Sequence, residues 1–487
     1  MRETPDVCVV GGGPAGLTTA LTLGAAGRRV VLLESGGFDP SAAAQELNDG
    51  DHEGDPYAGL GLTRVRRLGG TANHWDVCID GKPGAKYVPL SARDMREWPI
   101  SLEELEAHYV RAQEVCGLGP LEYGASRWTS PARRPFELDG TGLTNGVYQF
   151  GYAERFTREL VDELLAIESV SVVTATVVEL SVDRGTRQLR AVRAFDSNGR
   201  VIEVKARVVI LACGAVENAR LLLLAGLGNG SGSEWLGRCF MEHPRDFRMV
   251  LVPNSPELFA NAAFYDFCTV EDGVQVGGCV ALTDEALDRF RLPNGAMTLV
   301  PRIRRTPGQR LAARAPAPLR RALRMAPEGR YGWSRVRSPD RAFDRFQIIL
   351  NLEQRPHPSN RIELSTRRDR FGNPLPRLVL RWTDEEQERL EHLREPLREW
   401  FRIARLGDLQ TVKGHRPDLS AAHHAGTTRM ALQPQDGVVD PDGRVFGIDN
   451  VYVTGASVFP SVGFANPTLT VVALAHRLAR HVDALLR

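Results

Sequence analysis

Lysine is scarce in this chain. Of 61 basic residues only Lys82, Lys86, Lys205 and Lys413 are lysines, so arginine carries almost all the positive charge. The net charge is only +1, which removes the electrostatic reason to expect nucleic acid or a membrane surface as partner. Cysteine is sparse and unpatterned. Cys8, Cys78, Cys116, Cys213, Cys239, Cys268 and Cys279 are scattered, odd in number and without a C-x-x-C pair, which excludes a disulfide framework, a cysteine zinc site and a dithiol redox centre. No apolar run reaches the ~20 residues that span a bilayer. The first strand-like run starts so near Met1 that no signal peptide is expected, and a cytoplasmic protein is the simplest expectation. There is no G-x-S-x-G elbow, so a serine hydrolase has no support. His415, His423 and His424 lack a carboxylate or thiolate at a metal-ligand spacing, so no metal is expected. No internal repeat is evident.

What the chain does have is length and a strong opening. At 487 residues it exceeds a single simple core and fits two domains, side by side or one inserted in the other. Apolar residues make up 43% and the mean hydropathy is −0.23, values of an ordinary globular protein. Asp6 to Val10 is an apolar β-branched run, Gly11 to Gly16 a glycine turn, and Val30-Val31-Leu32-Leu33-Glu34 a second apolar run ending in an acid. With the helical stretch between them, these make a nucleotide-binding βαβ unit. Gly11 permits the tight turn, Gly13 lets backbone approach a pyrophosphate, and Gly16 lets the helix pack on the strand. Pro14 is tolerated in a first helical turn, so the N–H groups from Ala15 onward face the phosphates unpaired. Glu34 stands where a carboxylate accepts hydrogen bonds from ribose hydroxyls and repels a 2′-phosphate. The predicted ligand is FAD or NAD and not NADP.

Beyond Glu34 the pattern is irregular and glycine-rich up to Gly70, as a loop system bordering a site would be. Arg67-Leu68-Gly69-Gly70-Thr71-Ala72-Asn73-His74-Trp75 combines two adjacent glycines with polar groups, which suits close backbone approach to a flat ligand. Ser101 caps an acidic helix start at Leu102. Alternation predicts strands over Val170 to Val178, Leu189 to Phe195, Val201 to Val204 and Val208 to Ala212, a meander that returns to the main sheet. The Gly226 to Gly232 run follows a helix instead of a strand, so it reads as a helix end and loop. From about Phe240 to Gly414 the character changes and no second nucleotide motif occurs. Within that stretch Arg302 to Arg345 carries thirteen arginines against Glu328, Asp340 and Asp344, and is expected to be a solvated arm. Val451 to Thr454 reads as a buried strand, Gly455-Ala456-Ser457 as a turn, and Asn466-Pro467-Thr468 opens a helix whose dipole could face a cofactor.

These motifs together resemble the glucose-methanol-choline flavoprotein oxidoreductases, nearly end to end. The resemblance rests on Gly11 to Gly16 with Glu34; Leu68 to Trp75; Gly214-Ala215-Val216-Glu217-Asn218-Ala219-Arg220; Met241-Glu242-His243-Pro244; Glu353-Gln354 through Arg361; His423-His424-Ala425-Gly426-Thr427-Thr428-Arg429-Met430; and Val451 to Thr470. Within the family the chain looks most like the sugar- and polyol-oxidising, pyranose oxidase-like branch. The resemblance implies an α/β fold in which a Rossmann-like FAD-binding domain, 1–240 and 415–487, is interrupted by an α+β substrate-binding domain, 241–414, with an antiparallel sheet flanked by helices. It implies extended FAD contacted by Gly11, Gly13, Pro14, Ala15, Gly16, Glu34, Arg67, Gly69, Gly70, Thr71, Asn73, His74, Val177 and Gly214. Gly455, Ala456, Asn466, Pro467 and Thr468 complete that set. Many relatives carry Asp-Ala-Ser where this chain has Gly455-Ala456-Ser457, so backbone N–H groups must replace an acidic contact. His74 matches a histidine that pyranose oxidase bonds covalently to flavin, although other relatives with Asn-His-Trp form no such bond.

Oxidation of an alcohol to a carbonyl removes a proton and a hydride, and FAD accepts the hydride at N5. The protein must supply a base and a hydrogen-bonding partner for the developing alkoxide. The resemblance places the base on His423, three residues before Gly426, in preference to its neighbour His424, and the partner on Asn466. The expected function is FAD-dependent oxidation of an alcohol group of a sugar, cyclitol or glycosylated small molecule, aminoglycosides included, with oxygen or another electron acceptor. The alternatives are an FAD-containing lyase of the same fold and a non-catalytic FAD-binding module.

Overall fold

The computed structural model describes residues 4–79, 81–227, 233–303, 333–335 and 343–487. Most of the arginine-rich stretch, and residues 228–232 of the glycine run, lie outside the described residues. Two large sheets organise the rest.

The first sheet has seven strands. Val7–Val10 lies at its centre, parallel to Val208–Leu211 on one side and to Val30–Glu34 on the other, with Val451–Val453 beyond Val208–Leu211. These four strands are buried at every position. Such continuous apolar runs are what a parallel sheet covered on both faces requires. Val30–Glu34 pairs in parallel with Val170–Asp183, from which Gln188–Asp196 and Val201–Val204 run antiparallel before the chain returns at Val208. The meander expected from alternation is present, with its first strand five residues longer than predicted. Helices Pro14–Ala25, Leu102–Cys116 and Thr468–Leu485 cover one side. Ser101 Oγ accepts from Glu104 N at 3.1 Å, and Gly117, at φ 66°, ends the same helix in the left-handed region that glycine adopts without strain.

The second sheet has nine strands, all paired antiparallel. In spatial order its main path is Gly407–Gln410, Arg245–Pro253, Phe343–Leu352, Gly295–Ile303, Gln275–Leu282, Leu143–Tyr152, Lys82–Tyr87 and Val77–Ile79. The last three come from residues 77–152, so this sheet draws on both sides of the boundary expected at 240/241. Apolar alternation marks a strand but carries no information about which sheet it joins. Helix Asp384–Ile403 lies beside strand Gly407–Gln410. A capping box of Thr383 and Glu386 starts it, and it buries Leu390, Leu393, Leu397, Trp400 and Phe401. A small third sheet joins Asp51–Gly54 to Pro374–Leu380 in parallel, with Arg361–Arg368 antiparallel beyond. Among the described residues no helix is long and apolar enough to cross a membrane, no group of three His, Cys, Asp or Glu side chains could hold a metal, and six cysteines are free.

Candidate active site

A cavity of about 750 Å³ lies between the two large sheets, lined by residues from both. Three helix N-termini open onto it, at Gly13-Pro14-Ala15, at Cys213-Gly214-Ala215 and at Pro467-Thr468. In none of them does the N-cap side chain bond a first-turn N–H. Unpaired N–H groups and the positive ends of three dipoles therefore point at one space, which suits phosphate or carbonyl oxygens. Gly11 makes this possible, because its φ is 102° and a Cβ there would sit 2.7 Å from the Ala212 carbonyl oxygen. At Gly16 a Cβ would lie 1.8 Å from the Gly11 oxygen.

Glu34 lines the cavity and is held in place by accepting from Gly12 N at 2.7 Å and Gly36 N at 2.9 Å. Gly70, Thr71, His74, Val177, Gly455 and Ala456 line it as well. Beside Val177 the strand pairing shifts register before Glu179, a bulge that interrupts the ladder there. Four of the expected cofactor residues sit behind the wall. Gly16 serves helix packing, and Gly69 N donates to Gly12 O at 2.8 Å, tying the two glycine turns together. Asn73 braces its own loop, its Nδ2 donating to Leu68 O and Gly70 O, each at 2.9 Å, while its Oδ1 accepts from Arg67 Nε at 2.6 Å. Arg67 is thereby committed to Asn73.

His423 and Asn466 meet at this cavity from segments 43 positions apart in sequence. The Asn466 amide makes no hydrogen bond to the described residues. The His423 ring stands edge-on to His243, centroids 5.1 Å apart, and its Nδ1 is buried without a partner. Burial, together with His243, Arg245, Lys86 and His424, holds its pKa well below the ordinary value, so it is a neutral base at pH 7. The residue before it, Ala422, has φ 61°, a left-handed conformation that a non-glycine residue adopts only under constraint. His424 is differently placed: its Nε2 lies 2.5 Å from Tyr57 Oη and 3.3 Å from Glu242 Oε1. Glu242 is fully buried, and accepts from Tyr57 Oη at 3.0 Å and from His423 N at 2.8 Å. Burial pushes its carboxyl up to about 7, and burial with Arg64 nearby pulls His424 down to about 3. His424 is thus engaged in a buried network, whereas the His423 ring is free of hydrogen bonds.

Sequence reasoning missed several wall residues. Arg64 and Arg66 converge on Glu217 at 2.9 and 3.2 Å, and Arg220 reaches its other oxygen at 3.2 Å. Burial raises the Glu217 carboxyl, but Arg66, Arg220 and Arg64 more than reverse this and hold it well below the usual range. Lys86, Arg245, Thr298 and Asn351 on the wall, and Tyr57 behind it, belong to no motif, and only the quoted Met241 to Pro244 stretch pointed toward Glu242.

Residues 6–346 match the family described as FAD dependent oxidoreductase, and residues 356–475 match the GMC oxidoreductase family. The chain is 26% identical to 6'''-hydroxyparomomycin C oxidase of Streptomyces lividus, over 98% of this chain and 91% of that protein. It is also 26% identical to paromamine 6'-oxidase of Streptomyces fradiae, with the same coverage of 98% and 91%. The crystal structure of formate oxidase superposes with a TM-score of 0.59, covering 99% of this chain and 98% of that one, at 16% identity, a likeness of fold.

Proposed function

The chain belongs to the FAD-dependent glucose-methanol-choline oxidoreductases, and from that premise we propose that it oxidises an alcohol group of a sugar, cyclitol or glycosylated small molecule to a carbonyl. The observation that carries this reading is the meeting of a neutral His423 and an uncommitted Asn466 on the cavity that three helix N-termini open onto. The helix termini at Gly13, Cys213 and Pro467 would hold FAD, with Glu34 toward its ribose. When bound, FAD supplies the hydride acceptor. The His423 imidazole takes the hydroxyl proton, a transfer favoured while the imidazole is neutral. The Asn466 amide donates to the substrate oxygen as charge develops on it. The Glu242, Tyr57 and His424 network fixes the His423 backbone, since Glu242 accepts its N–H.

We take oxygen as the electron acceptor, because the two Streptomyces relatives named above are oxidases. A cytoplasmic setting accords with the six cysteines that are free among the described residues. His74 is exposed and lines the cavity, where a link to flavin would have to form. Acid precipitation decides this: yellow colour wholly in the supernatant means FAD is bound without a covalent bond. The main test is anaerobic mixing of the holoenzyme with a panel of sugars, cyclitols and aminoglycosides. Bleaching of the flavin is expected with at least one. A flavin left oxidised by all of them sinks the oxidative reading and favours a lyase.

A further inference from the structure

One wall of the cavity carries positive charge beyond its part in holding down the His423 pKa. The strand register sets Lys86, Cys279, Thr298, Ile349, Asn351 and Arg245 on one face of the nine-stranded sheet. All but Cys279 line the cavity. Lys86, one of only four lysines, lies with its ammonium 4.3 Å from the centroid of the Tyr148 ring. No carboxylate pairs with it among the described residues, and enclosure, offset in part by Cys279, pulls it down to about 8. Arg245 spends Nη2 on Asp418 at 3.3 Å and on the Ser420 carbonyl at 3.0 Å, but its Nε is buried without a partner. The hydroxyl of Thr298, a residue 6% exposed, is likewise buried and unpartnered.

The carboxylates on the cavity do not answer this charge. Glu34 is bonded to Gly12 and Gly36, and Glu217 is surrounded by three arginines. Asp76 is exposed. An enclosed ammonium without a counter-ion, beside unused donors, is costly to maintain. It is stabilised when a ligand brings the missing negative charge.

We propose that this wall binds an anionic group of the substrate, so that the alcohol oxidised belongs to a sugar or glycoside that also carries a carboxylate or a phosphate. The inference rests on the oxidative reading above. The Lys86 ammonium pairs with the anion, while Arg245 Nε–H and Thr298 Oγ–H donate to its oxygens. A polycationic amino sugar would be repelled by the same wall.

The test uses the holoenzyme with four matched probes: D-glucose, D-glucuronate, D-glucose 6-phosphate and D-glucosamine. Flavin difference spectra and calorimetry report binding, and anaerobic bleaching reports oxidation. The proposal expects one of the two anions to bind roughly ten- to a hundred-fold more tightly than glucose, and glucosamine more weakly than glucose. The two anionic arms separate carboxylate from phosphate as the source of the charge. Lys86→Met should collapse that preference, and Lys86→Arg should keep part of it. Glucosamine binding as well as or better than the anions, or anion binding indifferent to Lys86→Met, overturns it. So does a defect of Lys86→Met confined to flavin reoxidation by oxygen. Anion binding without bleaching by any probe would leave the wall assigned and count instead against the oxidative reading.

Discussion

The two ends of the cavity are built by different means. At the end proposed for the cofactor the groups on offer are backbone N–H groups at three helix starts, two of them shaped by Gly11, Gly13 and Gly214. At the end proposed for the substrate they are side chains, Lys86, Arg245, Thr298 and Asn351, delivered by four strands whose order in the sheet differs from their order in sequence. The first end depends on φ angles and close approach, and the second on charge and hydroxyl placement. Substitutions should therefore fail differently at the two ends, losing cofactor and fold in one case and turnover or selectivity in the other.

The strongest separation is expected from His423→Ala. Its ring makes no hydrogen bond that holds the fold, so FAD should be retained at full stoichiometry. Flavin reduction by substrate should slow by about 10²- to 10⁴-fold, the worth of a positioned base. Anaerobic stopped-flow measurement checks this, and unchanged reduction kinetics would remove His423 from the chemistry.

Gly16→Ala probes the opposite end. Its Cβ would fall 1.8 Å from the Gly11 carbonyl oxygen, so helix Pro14–Ala25 must move away from the glycine turn. The expected cost is about 3 kcal/mol, the upper part of the overpacking range. The flavin-to-protein absorbance ratio should fall together with Tm. Full flavin content with wild-type Tm would show that this end tolerates more than its geometry suggests.

The same division explains what could be read from the sequence. The glycine turn, Pro14, Glu34 and the opening of the C-terminal helix are legible because a backbone site leaves its requirements in consecutive residues. His423 and Asn466 could be placed only through whole motifs, since neither residue carries its role in its immediate spacing. The Glu242, Tyr57 and His424 network joins positions 57, 242 and 424, and no periodicity links them. Asn73 teaches a further point. The motif marks it as important, yet its side chain satisfies the carbonyls of its own turn, a local use that spacing does not distinguish from ligand contact.

Glu242, bonded to the His423 backbone, gives a signed pH prediction. Its ordinary carboxyl value is 4.5, and burial raises it to about 7 in the folded protein. At low pH both folded and unfolded states hold the proton. As pH rises the unfolded chain ionises first, so the stability contributed by this group declines until pH reaches about 7 and is constant above it. Glu242→Gln cannot ionise, so its stability relative to wild type should improve by on the order of 3 kcal/mol between about pH 5 and about pH 8. Urea unfolding at both values measures it. A pH-independent difference between the two proteins would mean that the carboxyl titrates normally.

The smallest effect belongs to Asn73→Ala, which asks whether the boundary between the two ends is structural or functional. The substitution removes donors to Leu68 O and Gly70 O and the acceptor of Arg67. Three hydrogen bonds of this kind are worth about 2–3 kcal/mol together, which should appear as a modest fall in Tm. Because the amide points into its own loop, the visible spectrum of bound flavin should keep its shape. A shifted flavin spectrum at unchanged Tm would instead assign Asn73 to the ring edge of the cofactor, and would require the side chain to leave the loop when FAD binds.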